Sequence, residues 1–82
     1  MIYVAITAPG LRAALKAAQP TDFIWCGADA ISIGDFRAIN DPRLTRFEYG
    51  FATHPVRSTI DRAIETIQEH HPDHPIWIEA AP

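Results

Sequence analysis

DFIWCGADAISIGDFRAINDPR, residues 22–43, is the stretch on which the architecture turns. Phe23 and Trp25 alternate with Ile24 and Cys26, an apolar run with the aromatic and β-branched content of a strand. Gly27 and Asp29 mark a turn within CGADA. Ile31 and Ile33 then alternate with Ser32, so residues 22–34 are expected to form a hairpin or one long bulged strand. DFRAINDPR is expected to be irregular, with at most one short helical turn before NDP ends it.

Outward from there, MIYVAIT places Ile2, Val4 and Ile6 on one face and Tyr3, Ala5 and Thr7 on the other, a strand. Pro9 suits the first turn of a helix, and Leu11, Ala14, Leu15 and Ala18 follow at helical spacing until Pro20. LTRFEYGFA reads as a strand with Phe47, Tyr49 and Phe51 on one face and Arg46, Glu48 and Gly50 on the other. THPVRSTIDRAIETIQEHH is the long helix. Thr53 is its candidate N-cap, Pro55 lies near its first turn, and Val56, Ile60, Ala63, Ile64 and Ile67 form its apolar stripe. PDHP stops it, and IWIEA is a last strand. The order β-α-β-β-α-β predicts a ferredoxin-like α+β sandwich: an antiparallel sheet with two helices on one face, and an extra hairpin strand if 22–34 doubles back. The other face would be open, lined by Tyr3, Trp25 or Cys26, Trp77 and one side of RFEYGF. Exposed aromatics of that kind point to a partner or a homodimer unless loops cover them.

Composition narrows the classes. The 82 residues make one domain, 1–82, and so short a chain buries only about 60–65% of its extended surface. There is no repeat, no low-complexity run and no apolar stretch long enough to span a bilayer. The first residues lack the basic leader and apolar core of a signal peptide, and one cysteine cannot pair internally, so a cytoplasmic location is expected. Ten acids against seven bases, net −3, argue against direct nucleic-acid binding, which needs a clustered basic surface. Arg37, Arg43 and Arg46 interleave with Phe36 and Phe47, but RFEYGF departs from the RNA-recognition signature.

EHHPDHP, residues 69–75, is the most chemical-looking segment. A zinc site needs three or four ligands on one centre. Adjacent helical residues such as His70 and His71 point about 100° apart, and no distant Cys or Asp pattern completes a set. A helix C-terminus with imidazoles near its negative end explains the same residues, so no metal is assigned. Cys26 with His54 could in principle be a nucleophile pair, but Cys26 sits in an apolar strand, where free thiols are ordinarily inert core. TAPG opens a helix without a phosphate-loop pattern. No cofactor and no enzymatic activity are expected.

The most regular polar pattern is Asp61, Glu65 and Glu69 at i, i+4, i+8, with Arg57 beginning the row and Arg62 placed to compensate part of it. A solvated helix face would look the same. With the acids at Asp22, Asp29, Asp35, Asp41 and Glu48, the chain resembles the small phage-encoded anti-CRISPR proteins in size, acidity and absence of a catalytic constellation. That resemblance implies a compact α+β domain in the host cytoplasm that occludes the basic nucleic-acid-binding surface of an effector complex. The expected partner-binding set is Asp61, Glu65, Glu69, Asp29, Asp35, Glu48, Trp77 and Tyr49, facing a protein partner with a basic surface. The alternative is a dimeric ferredoxin-like regulatory or small-ligand-binding module.

Overall fold

The structure, a computed structural model, describes residues 1–51 and 56–79. The elements run β1 (Ile2–Ala5), α1 (Ala8–Ala17), β2 (Phe23–Cys26), α2 (Ile33–Ile39), β3 (Leu44–Arg46), α3 (Val56–His70) and β4 (Ile76–Ile78). The sheet is four-stranded in the order β3-β2-β1-β4, and every pair is parallel. The ferredoxin-like antiparallel expectation is therefore overturned.

The cause lies in residues 32–40. Ser32 is an N-cap in extended backbone, and its hydroxyl accepts from the Asp35 amide at 3.1 Å. Asp35 sits in the first turn, where its charge suits the helix dipole. At the other end Asn40 takes the left-handed conformation (φ 49°, ψ 44°) and donates to Phe36 O at 3.3 Å, a helix stop that asparagine tolerates better than most residues. Residues 33–39 are thus a helix, not a hairpin strand plus irregular coil. A helix between β2 and β3 supplies the crossover that parallel pairing needs.

The strand expected over LTRFEYGFA is confined to Leu44–Arg46. Beyond it the chain still follows β2: the Phe47 amide donates to Cys26 O at 2.8 Å and the Ala28 amide to Tyr49 O at 2.9 Å. Gly27 is buried here, and a Cβ on it would press on the Phe51 amide nitrogen at 2.7 Å. Arg46 ties the layers by donating to Ile31 O at 2.8 Å and Ala28 O at 3.1 Å.

Both faces of the sheet are covered. Leu11 and Ala14 of α1 pack with Ala5, Ile24, Cys26, Ala30 and Leu44, and Phe36 of α2 lies against the same cluster. On the opposite face Ile60, Ala63 and Ile67 of α3 pack with Ile2, Val4, Trp25 and Phe51. The switch of face follows from chain direction. From β1 to β3 each strand is added on one side, whereas β4 returns to the far side of β1. Crossovers keep one hand, so reversing direction moves the helix to the other face. The open face expected to hold Trp25 and Cys26 does not exist, because α3 or α1 buries each of them. The proposed caps at Thr53 and Pro55 lie outside the described residues.

Removing the Ser32 cap should test the crossover directly. Ser32→Ala is expected to cost about 1 kcal/mol, read as a lower urea midpoint at unchanged slope. Wild-type stability in that variant would remove the cap from this account of α2.

Candidate functional site

The expected site residues fall in three places. Asp61, Glu65 and Glu69 are exposed along the outside of α3, opposite buried Ile60, Ala63 and Ile67. Eight residues of helix rise about 12 Å, so the three carboxylates form a line of that length. The compensation expected from arginines is absent: among the described residues no ion pair reaches any of the three, and the pairs that do form join Asp41 to Arg43 and the Met1 amino group to Asp22. Arg62 instead lies over the Tyr49 ring, 5.9 Å from its centroid. That contact puts the loop bearing exposed Glu48 and half-buried Tyr49 beside α3. Tyr49 is held there by Phe47 at 5.2 Å and Phe51 at 6.0 Å between ring centroids.

Asp29 and Asp35 lie elsewhere, at the C-terminal end of the parallel strands. They line a crevice of about 780 Å³ between α1 and α2 with Arg12, Ser32, Leu11 and Ile31. Asp29 also organises the backbone, since its Oδ1 accepts from the Phe51 amide at 3.0 Å. Trp77 is on a third surface. It stands 61% exposed on β4, beside a groove of about 400 Å³ that Tyr3, Gly10, Ala13 and Ala17 line. Two further acids are absorbed by the fold. Asp41 holds Arg43 through both oxygens, at 3.0 and 2.7 Å, and Asp22 accepts from the Gln19 amide at 2.7 Å. Of the three arginines considered for nucleic acid, Arg43 and Arg46 are turned onto backbone carbonyls.

One residue carries structure that its sequence context did not disclose. Open α/β sheets bind ligands outside the strand C-termini where the strand order reverses, here between β1 and β4. Glu79 fills that point. Its Oε1 accepts from the Ile6 amide at 2.7 Å and the Thr7 amide at 2.8 Å, and its Oε2 accepts from the Thr7 hydroxyl. Thr7 Oγ1 in turn caps α1 by accepting from Gly10 at 3.1 Å. A Cβ at Gly10 would overlap the Glu79 carboxylate and push it from this place. An internal carboxylate therefore occupies the anion-binding position at the α1 N-terminus. Burial pushes the Glu79 carboxyl up, but the bonds from Thr7 and Ile6 outweigh it and hold the group below its ordinary range.

The Cys26 thiol is fully buried and pushed up to about 11, mainly by burial, so it is a neutral core group at physiological pH. Its suggested partner His54 lies outside the described residues. The histidines of EHHPDHP pack as rings. His71 stacks on Phe23 at 4.1 Å between centroids, His74 meets both rings edge-on, and His70 lies 5.8 Å from Trp25. Among the described residues no three His, Cys, Asp or Glu side chains converge as metal ligands do. Burial, then the neighbouring His74 and His70, lowers the His71 pKa and favours its neutral ring.

Glu79→Ala leaves the Ile6 and Thr7 amides without their acceptor and should cost about 2 kcal/mol at pH 7. Because the folded carboxyl titrates lower than the unfolded one, its contribution is complete above the ordinary 4.5 and fades as pH falls through the depressed value. Unfolding free energies from pH 7 to pH 3 should show this acid-dependent loss in the wild type and a flatter profile in Glu79→Gln. Superimposable profiles would show that the carboxylate does not couple to folding.

Among the described residues no helix is long and apolar enough to cross a membrane. No known protein family, curated protein or solved structure matches this chain.

Proposed function

We propose that this chain is a small non-enzymatic binding protein that covers a basic surface of a protein partner with the outer face of α3. The observation that carries the proposal is the line of Asp61, Glu65 and Glu69, which no ion pair reaches among the described residues, with Glu48 and Tyr49 on the adjoining loop. Carboxylates without an ion pair among the described residues keep their field for a partner, which steers encounter and selects against acidic surfaces. Tyr49 supplies an amphipathic ring at the edge of that line, the kind of residue that anchors interfaces. Occlusion of a nucleic-acid-binding surface, as in the anti-CRISPR proteins that the chain resembles in size and charge, is the specific form proposed. Asp29, Asp35 and Trp77 stand apart from α3, so one flat interface cannot use the whole expected set.

Affinity capture from host lysate should retain a stoichiometric partner rich in lysine and arginine at low salt and release it at high salt. Asp61→Lys/Glu65→Lys/Glu69→Lys, checked for an unchanged circular dichroism melt, should weaken that complex at least ~100-fold, about 3 kcal/mol. Equal capture by the folded triple variant would remove α3 from the proposal. Capture of a CRISPR effector subunit would support the specific form.

A second reading, small-ligand binding, is favoured by the crevice between α1 and α2, whose 780 Å³ falls within the ordinary range of ligand pockets. Arg12, Asp29, Ser32 and Asp35 are its polar groups. Amide shifts clustered at these residues in a fragment screen by NMR would support it. A screen that moves none of them would sink it.

A further inference from the structure

We propose that β4 is a dimerisation strand, pairing antiparallel with β4 of a second copy across a two-fold axis at Trp77 to make one continuous sheet.

Among the described residues β4 is an outer strand of the sheet, paired only to β1. The Ile2 amide donates to Pro75 O and the Glu79 amide to Val4 O, both at 2.9 Å, so residues 75, 77 and 79 turn their backbone toward β1. Alternation then points the amide and carbonyl groups of Ile76 and Ile78 away from the sheet, where no strand among the described residues pairs with them. This pattern is self-complementary. In an antiparallel arrangement centred on Trp77, Ile76 faces Ile78 of the second copy, and Ile78 faces its Ile76. Each couple can exchange both N–H···O=C bonds. Trp77 then opposes its own copy as a non-hydrogen-bonded pair, with Cα atoms about 4.5 Å apart and both rings on the α1 side.

The two edges of the sheet are treated differently. Natural edges are protected by charge, proline and side chains that cover the backbone. β3 has Pro42 and Arg43 just before it, and Arg46 within it folds over the neighbouring loop. β4 is Ile-Trp-Ile with no charge; Pro75 precedes it but turns its backbone toward β1, and both Trp77 and Ile78 are exposed. The nearest acid along the chain, Glu79, is turned inward onto Thr7 and Ile6 and so is drawn away from this edge. Beside it the groove floored by Gly10, Ala13 and Ala17 leaves room for the second indole. An axis perpendicular to the sheet keeps the two α3 helices on one face, so the dimer would display the acidic line twice.

Sedimentation equilibrium from 1 to 200 μM should give twice the monomer mass. Trp77→Glu sets like charges against each other at the axis and should raise the dissociation constant at least tenfold while keeping the native circular dichroism spectrum. Trp77→Cys should form an intermolecular disulfide under mild oxidation, since about 4.5 Å between Cα atoms lies within disulfide range. Thr45→Cys on the opposite edge should not, and native Cys26 is buried. A wild-type monomer throughout that range, a dimer untouched by Trp77→Glu, or equal cross-linking at Thr45→Cys would each overturn the proposal.

Discussion

β1 is hydrogen-bonded in parallel along both edges, to β2 and to β4, and the remaining elements are arranged around that constraint. Parallel neighbours cannot be joined by a tight turn, so each pairing demands a crossover that packs back on the sheet. α1 and α2 supply the crossovers on one face and α3 supplies the return on the other. A strand held this way has water on neither face. Ile2, Val4 and Ala5 are accordingly buried, and Tyr3 is partly covered by the α1 layer.

The same reversal of strand order that sends α3 to the opposite face creates the gap between β1 and β4, and Glu79 closes it. A carboxylate at that point binds the end of β4 to the start of α1, distant in sequence but neighbours in space. It also accepts from the Ile6 and Thr7 amides just ahead of α1. The surfaces proposed for recognition, the acidic side of α3, the α1–α2 crevice and the outer edge of β4, all lie outside the switch point.

Charge in this protein divides into internal and external groups, and that division is not visible from composition. Asp22, Asp41, Arg43, Arg46 and Glu79 are bound to backbone or to one another, whereas no ion pair among the described residues reaches Asp61, Glu65 or Glu69. The formal net charge counts all of them alike.

Local pattern alone determined β1, α1, α3 and β4 here, because their apolar residues repeat at strand or helix periods and Pro9, Pro20 and the PDHP turn punctuate them. The acidic row on α3 was legible for the same reason. α2 was not, because it is short and buries no residue fully, and its apolar Ile33, Phe36 and Ile39 span fewer than two turns. Its signature was the caps, Ser32 three residues before Asp35 and Asn40 at its end. Two-sided apolarity in IYVA and FIWC was a further sign of a parallel sheet covered on both faces. Only the tertiary structure decided strand order, the placing of Trp77 on a free edge and the inward turn of Glu79. Each depends on a residue more than 70 positions away along the chain, as Thr7 is from Glu79, and no local period reports such a neighbour.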